Sequence, residues 1–217
     1  ADNVSNPNKG VIQVTIGGNN VYENVEIDYR MSSLKAKDIL AILNGEKSES
    51  LPTVIESTEN DNLFVFWSGH GVPGAMCWDE EPYAMTGDDL STVFKDMNLK
   101  RRYRKLLMMV EACFSGGVME QCEGIPGMLF ITAANGDETS KADVFNGEMK
   151  VWMSNRFTST FIEQITDNKD VAMRDLYYRL FINTVGSHVM VYNAENYGNL
   201  YSANMSEFIN FKNDKSK

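Results

Sequence analysis

Apolar residues occur in short blocks separated by polar, glycine-containing stretches. Residues 62–67, 106–110 and 128–132 are nearly continuous apolar runs. They are too short for helices and suit strands buried on both faces of a parallel sheet. Residues 11–16 are rich in β-branched side chains and bounded by Gly10 and Gly17-Gly18, which predicts another strand. A last strand is predicted over 187–192. Helical spacing places Leu34, Ile39, Leu40, Ile42 and Leu43 largely on one face, with Ser32 or Ser33 as candidate cap and Asn44-Gly45 as stop signal. Thr86-Gly87-Asp88-Asp89 predicts a helix start: Thr86 can cap it, and the acids sit at its positive end. That helix is expected to run to about residue 96. Residues 152–165 and 171–183 also read as helices. Residues 74–85 read as a hairpin turning at 79–82, and the polar stretch 136–150 as a loop. The segment 1–10 reads as linker, 46–60 as charged surface, and 194–217 as a polar extension ending in a charged tail.

Short apolar strands alternating with helices predict an α/β fold with a mainly parallel sheet. Ligands of such sheets bind beyond the carboxyl ends of the strands. His70, Cys113 and Ala134-Asn135 each lie just past such an end. The length of 217 residues fits one domain. With 20 Lys plus Arg against 30 Asp plus Glu, the net charge of −10 argues against a nucleic-acid partner. No apolar run reaches the length of a membrane span. Three Cys form no disulfide framework, so Cys77 and Cys122 read as free thiols. No Cys or His pair has ligand spacing, so neither a metal nor another cofactor is expected.

Only two His are present, so imidazole chemistry must use His70 or His188. Cys113 precedes the small-residue turn Ser115-Gly116-Gly117, where a thiol is accessible and backbone N–H groups favour its thiolate. Taken alone, Cys113 reads as a structural thiol. His70 is flanked by Gly69 and Gly71, which let the backbone bend sharply and approach a ligand. An imidazole within reach of a thiol gives an activated nucleophile and a proton shuttle. The N–H groups of Gly71 and Cys113 are candidates to hold an oxyanion. His70 lies 43 residues before Cys113, close to the roughly 50 of caspases, although the local caspase signature is absent. His188 reads as a satisfied core or rim residue. The Met residues read as core filler, Trp152 and Phe157 as packing residues or groove lining, and Asp79-Glu80-Glu81 as a solvated turn.

These residues resemble the legumain (asparaginyl endopeptidase) family of caspase-like cysteine peptidases. Ser68-Gly69-His70-Gly71-Val72-Pro73-Gly74 is similar to its catalytic-His motif, and Glu111-Ala112-Cys113-Phe114-Ser115-Gly116 to its catalytic-Cys motif. Asn20-Val21-Tyr22, Asp28-Tyr29, 40–45, Thr132-Ala133-Ala134-Asn135 and Ser187-His188-Val189-Met190 also match, in family order. The resemblance implies a three-layer caspase-like sandwich over 1–217, a mainly parallel central sheet flanked by helices, and peptide-bond cleavage through a thioester. It implies Cys113 as nucleophile, His70 as proton donor and Gly71 as oxyanion donor. Glu111 and the Thr139-Ser140 pair would form the specificity pocket for Asn or Asp. The bland reading of Glu111 is a solvent-facing carboxylate at a strand end.

Two departures stand out. A family pocket acid falls near Val151, and the family's first strand, helix and strand, with an Asn that orients the catalytic His, have no counterpart before residues 1–10. A separately cleaved chain of the same precursor would supply them; a deleted or truncated segment and a sheet built without them are the alternatives. An exported, periplasmic or lysosome-like compartment is expected from the family. Two other activities fit the same residues: a peptide ligase in which an amine resolves the thioester, and a non-catalytic peptide-binding protein on the same fold.

Overall fold

The computed structural model describes residues 6–78, 81–168 and 170–209. In chain order the elements are α1 (Ala36–Asn44), β1 (Asn62–Ser68), β2 (Gly71–Val72), β3 (Ala75–Trp78), β4 (Glu81–Thr86), α2 (Gly87–Leu99), β5 (Lys105–Glu111), α3 (Ser115–Met119), β6 (Met128–Thr132), β7 (Ala142–Asn146), β8 (Val151–Asn155), α4 (Arg156–Asp167), α5 (Met173–Asn183), β9 (Met190–Tyr192) and α6 (Ala194–Tyr197). The central sheet has the order β1-β5-β6-β9. β1, β5 and β6 are parallel, and β9 runs antiparallel to β6.

Side-chain alternation divides this sheet between two cores. Leu106, Met108, Val110, Met128 and Phe130 face the layer of α1 and α2, with Phe94 stacked on Phe130 at 5.7 Å between ring centroids. Leu107, Met109, Leu129 and Ile131 face the layer of α4 and α5, against Phe157, Phe161, Leu176 and Leu180. Each such side chain contributes about 1.5–3 kcal/mol by leaving water. The result is the expected three-layer α/β sandwich, with helices on both faces of a mainly parallel sheet. No described helix is long and apolar enough to cross a membrane.

Local signals explain the helix ends. Thr86 caps α2: its hydroxyl accepts from the Asp89 N–H at 3.2 Å, and the Asp89 carboxylate accepts from the Thr86 N–H at 3.0 Å. The helix continues past residue 96 to Leu99. α1 ends at Gly45 in the left-handed conformation (φ 69°), as Asn44-Gly45 predicts. Its start differs from expectation. Neither Ser32 nor Ser33 caps it; both lie in a short 3-10 turn, and the Asp38 carboxylate accepts from the Lys35 N–H instead.

Several other expectations are corrected. Residues 11–16 form no strand. The Ile12 N–H donates to the Asn20 side chain and the Ile12 carbonyl accepts from Val21, so local bonds consume both backbone groups of Ile12, and the Gln13 side-chain amide donates to the Gly18 carbonyl. Ile16 is left two-thirds exposed. β1 is half-buried rather than fully buried, because it stands at one edge of the sheet. The stretch 136–150 carries β7, and β8 follows it in an antiparallel hairpin. Trp152 therefore lies in a strand, 5.1 Å from the Phe145 ring across the pair, and the helix begins only at Arg156. β9 starts at Met190, so His188 precedes it. Residues 194–209 are not a free polar extension: Tyr197, Ala203 and Met205 are buried in the α4–α5 core. The expected turn at Asp79-Glu80, the first linker residues and the charged tail from 210 lie outside the described residues.

Candidate active site

The site is set by strand register. β1 and β5 pair from Asn62↔Lys105 to Ser68↔Glu111, and the Gly69 N–H donates to the Glu111 carbonyl at 3.1 Å. His70 and Cys113 thus each stand two residues beyond a matched pair, at the carboxyl edge of the sheet. After His70 the chain turns into β2, and the His70 carbonyl accepts from the Cys77 N–H at 2.9 Å. Gly71 lies against the backbone of Cys113, so closely that any Cβ there would overlap the Cys113 carbonyl oxygen. Only glycine permits this approach. The His70 side chain is exposed. It borders a cavity of about 350 Å3 whose other walls include Met31, Trp67, Cys77 and Trp78.

Cys113 sits half-buried between β5 and α3. Phe114, immediately after it, adopts the left-handed conformation (φ 56°, ψ 16°). For a non-glycine residue this costs about 1–3 kcal/mol and persists only where neighbours enforce it. The neighbours are identifiable. The Phe114 N–H donates to the Glu138 carbonyl at 2.8 Å, and the Gly116 N–H to the Ala134 carbonyl at 3.1 Å. Gly117 and Gly136 stand back to back, and a Cβ on Gly136 would press on the Gly117 backbone at 3.2 Å.

Of the two hydroxyl candidates, the fold brings only one to the thiol. Ser140 Oγ lies 3.8 Å from Cys113 Sγ. Thr139 is exposed, and its hydroxyl accepts from Lys141 Nζ at 2.9 Å.

Glu111 is not the solvent-facing carboxylate of the bland reading. It is 1% exposed. Its Oε2 accepts from both the N–H of Thr158 (3.0 Å) and its hydroxyl (3.1 Å), in the first turn of α4. Oε1 is buried and accepts no hydrogen bond of ordinary geometry. Burial pushes the Glu111 carboxyl above its usual range, against the opposing pull of the Thr158 N–H and hydroxyl and of the Ser140 hydroxyl.

Sequence reasoning missed three residues. Thr158 is one. Glu138 is the second: its Oε1 accepts from the N–H groups of Asn135 (3.2 Å) and His188 (2.7 Å), and its Oε2 meets the His188 ring at 2.9 Å. Desolvation would raise the Glu138 carboxyl, but the His188 ring and these N–H groups together hold it below the usual range. The spacing Asn135-x-x-Glu138 is that of a capping box and was a readable signal. His188 is thus a rim residue, with 68% of its side chain exposed. Asp143 is the third. It pairs with Arg156 at 2.9 Å and accepts from Ser159 Oγ at 2.6 Å, at the start of α4. Val151, by contrast, lines a separate cavity with Asn6, Val11, Met149 and Met153.

A sequence profile described as Peptidase C13 family matches residues 1–208. The chain belongs to that family. It is similar to hemoglobinase of Schistosoma mansoni (30% identical, covering 96% of this chain and 48% of that protein) and to legumain of Rattus norvegicus (28%, covering 88% and 45%). It also resembles the vacuolar-processing enzyme of Vicia sativa (35% over 64% of this chain and 29% of that protein). This Peptidase C13 chain therefore spans less than half the length of these relatives. The sharp turn at Cys113 and the glycine-flanked His70 lie inside the matched region.

Proposed function

We propose that the chain carries the catalytic centre of a cysteine endopeptidase. The observation that supports this reading best is the shared register of β1 and β5, which delivers His70-Gly71 and Cys113 to one edge of the sheet in backbone contact. In the proposed reaction the Cys113 thiolate attacks a peptide carbonyl carbon. The developing oxyanion is held by backbone N–H groups, with Gly71 as one donor. As the C–N bond breaks, His70 gives its proton to the leaving amine and a thioester remains on Cys113. Water then attacks the thioester, its proton passes to His70, and the acid product leaves with the thiolate restored.

Glu111 and Ser140 form the pocket for the side chain that precedes the scissile bond. A buried carboxylate oxygen with no hydrogen bond of ordinary geometry fits a side chain that brings N–H groups, which supports Asn there. Thr139, exposed and bonded to Lys141, has no assigned part in this reading. The vacuolar-processing name of one relative supports placement in a vacuole-like or lysosome-like compartment.

A peptidyl electrophile should modify Cys113 in the natural protein, and His70→Ala should abolish that modification. A peptide library should then show cleavage after Asn. An unmodified Cys113 between about pH 4 and 8, a range that spans carboxylate and imidazole titration, refutes the enzyme reading and leaves the peptide-binding one. Products joined to an added amine acceptor would assign ligation by the same thioester.

A further inference from the structure

The helix α4 begins without a cap of its own: Asn155, at the capping position, makes no side-chain bond to the first turn. The cap comes from another element. Glu111, 47 residues earlier at the end of β5, takes that role with one carboxylate oxygen. The third helical residue, Thr158, gives that oxygen two donors at once, its N–H at 3.0 Å and its hydroxyl at 3.1 Å. Two donors converging on Oε2 fix the plane of the carboxylate, which a single donor leaves free to turn. Oε1 is the oxygen left over, buried and without a hydrogen bond of ordinary geometry, although the Ser140 hydroxyl acts on the same carboxyl.

We propose that Thr158 is a positioning residue for substrate selection: by fixing Oε2 of Glu111 it aims Oε1 at N–H groups of the side chain preceding the scissile bond. The inference rests on the pocket reading given above. Thr158 itself touches no reacting atom. It decides whether the acceptor is oriented before substrate arrives, so it acts on recognition of a carboxamide rather than on bond breaking.

Thr158→Val tests this directly. It keeps the shape of the side chain and the N–H bond that caps α4, and removes only the hydroxyl donor. Two substrates are compared in the natural protein: a peptide with Asn before the scissile bond and its analogue with Ala. For the Asn peptide, KM is expected to rise about ten-fold with kcat little changed, the size of effect a hydrogen bond to a charged group commands. For the Ala peptide, neither constant should move, and Thr158→Ser should restore the Asn peptide's KM. Methylthiolation of Cys113 by methyl methanethiolsulfonate, which carries no N–H group, should proceed at the unaltered rate and reports an intact fold.

A Thr158→Val enzyme with unchanged KM for the Asn peptide overturns the proposal. So does an equal loss on both peptides, which assigns Thr158 to the fold of α4 alone. A wild-type protein that favours the Ala peptide also overturns it, since Glu111 is then not the selecting acid. If the wild-type protein neither cleaves nor reacts at Cys113, the enzyme reading itself fails and takes this proposal with it. The two failures are thereby told apart.

Discussion

Gly71 rests on the backbone of Cys113: a Cβ at position 71 would overlap the Cys113 carbonyl oxygen and come within 3.3 Å of the Ala112 side chain. The turn at Cys113 and the strand after His70 are therefore one packed unit. Gly71→Ala must push the two apart. It is expected to lower cleavage about 100-fold, the cost of a misplacement near 1 Å, and stability by about 1–3 kcal/mol as overpacking does. Far-UV circular dichroism should stay native while Cys113 alkylation and peptide turnover fall. Unaltered turnover would show that the two segments do not need this contact.

The buried carboxyl of Glu111 makes a second prediction, for stability against pH. Its folded-state affinity for a proton is raised above the unfolded one. Its contribution is therefore fully present below the unfolded pKa, about 4.3 for Glu, and is lost as pH rises through the raised folded value. Glu111→Gln removes that loss and retains an oxygen for Thr158. Urea unfolding between pH 4 and 7 should show the variant gaining on the wild type as pH rises. Parallel curves would contradict the burial argument.

Glu138 and His188 carry unequal weight, although they form a pair. The His188 side chain is mostly exposed, so His188→Ala is expected to cost no more than about 0.5 kcal/mol, as exposed ion pairs do. Glu138→Ala also strips the Asn135 and His188 N–H groups of their acceptor. About 2 kcal/mol is expected there, the scale of hydrogen bonds to a charged group. Hydrogen exchange should quicken at Asn135 and His188 in Glu138→Ala, with β5 and β6 unaffected. Equal effects of the two substitutions would count against this division.

Thr86→Ala should cost about 1 kcal/mol through the lost cap, read as a fall in Tm with catalysis unchanged. A loss of Cys113 reactivity would instead tie α2 to the site.

How far the chain could be read from its residues depended on where the decisive interactions lie. β6 was read with its bounds intact, and β5 to within one residue at each end, because strands buried on both faces write unbroken apolar runs. His70 and Cys113 were legible because each stands just past an apolar run, His70 between two glycines and Cys113 before the small-residue turn 115–117. Residues 11–16 carry the composition of a strand, but a strand needs a partner, and Asn20 satisfies that backbone locally. The β7–β8 hairpin escaped notice because its paired aromatics, Phe145 and Trp152, are half exposed or more and write no apolar run. Thr158 was invisible as a member of the site. Its bonds to Glu111 exist only because the start of α4 meets the end of β5, a contact no local pattern encodes.

The back-to-back glycines at 117 and 136 bear on how such a site can be altered. A chimera that exchanges the loop after Ala134 has to keep a glycine at 136, where a Cβ would meet the Gly117 backbone at 3.2 Å. Segments exchanged without regard to this junction would be wedged apart before either could be judged for specificity. The natural cassette for redesign is thus the pair, 113–117 together with 134–141, transplanted as a single interlocking part.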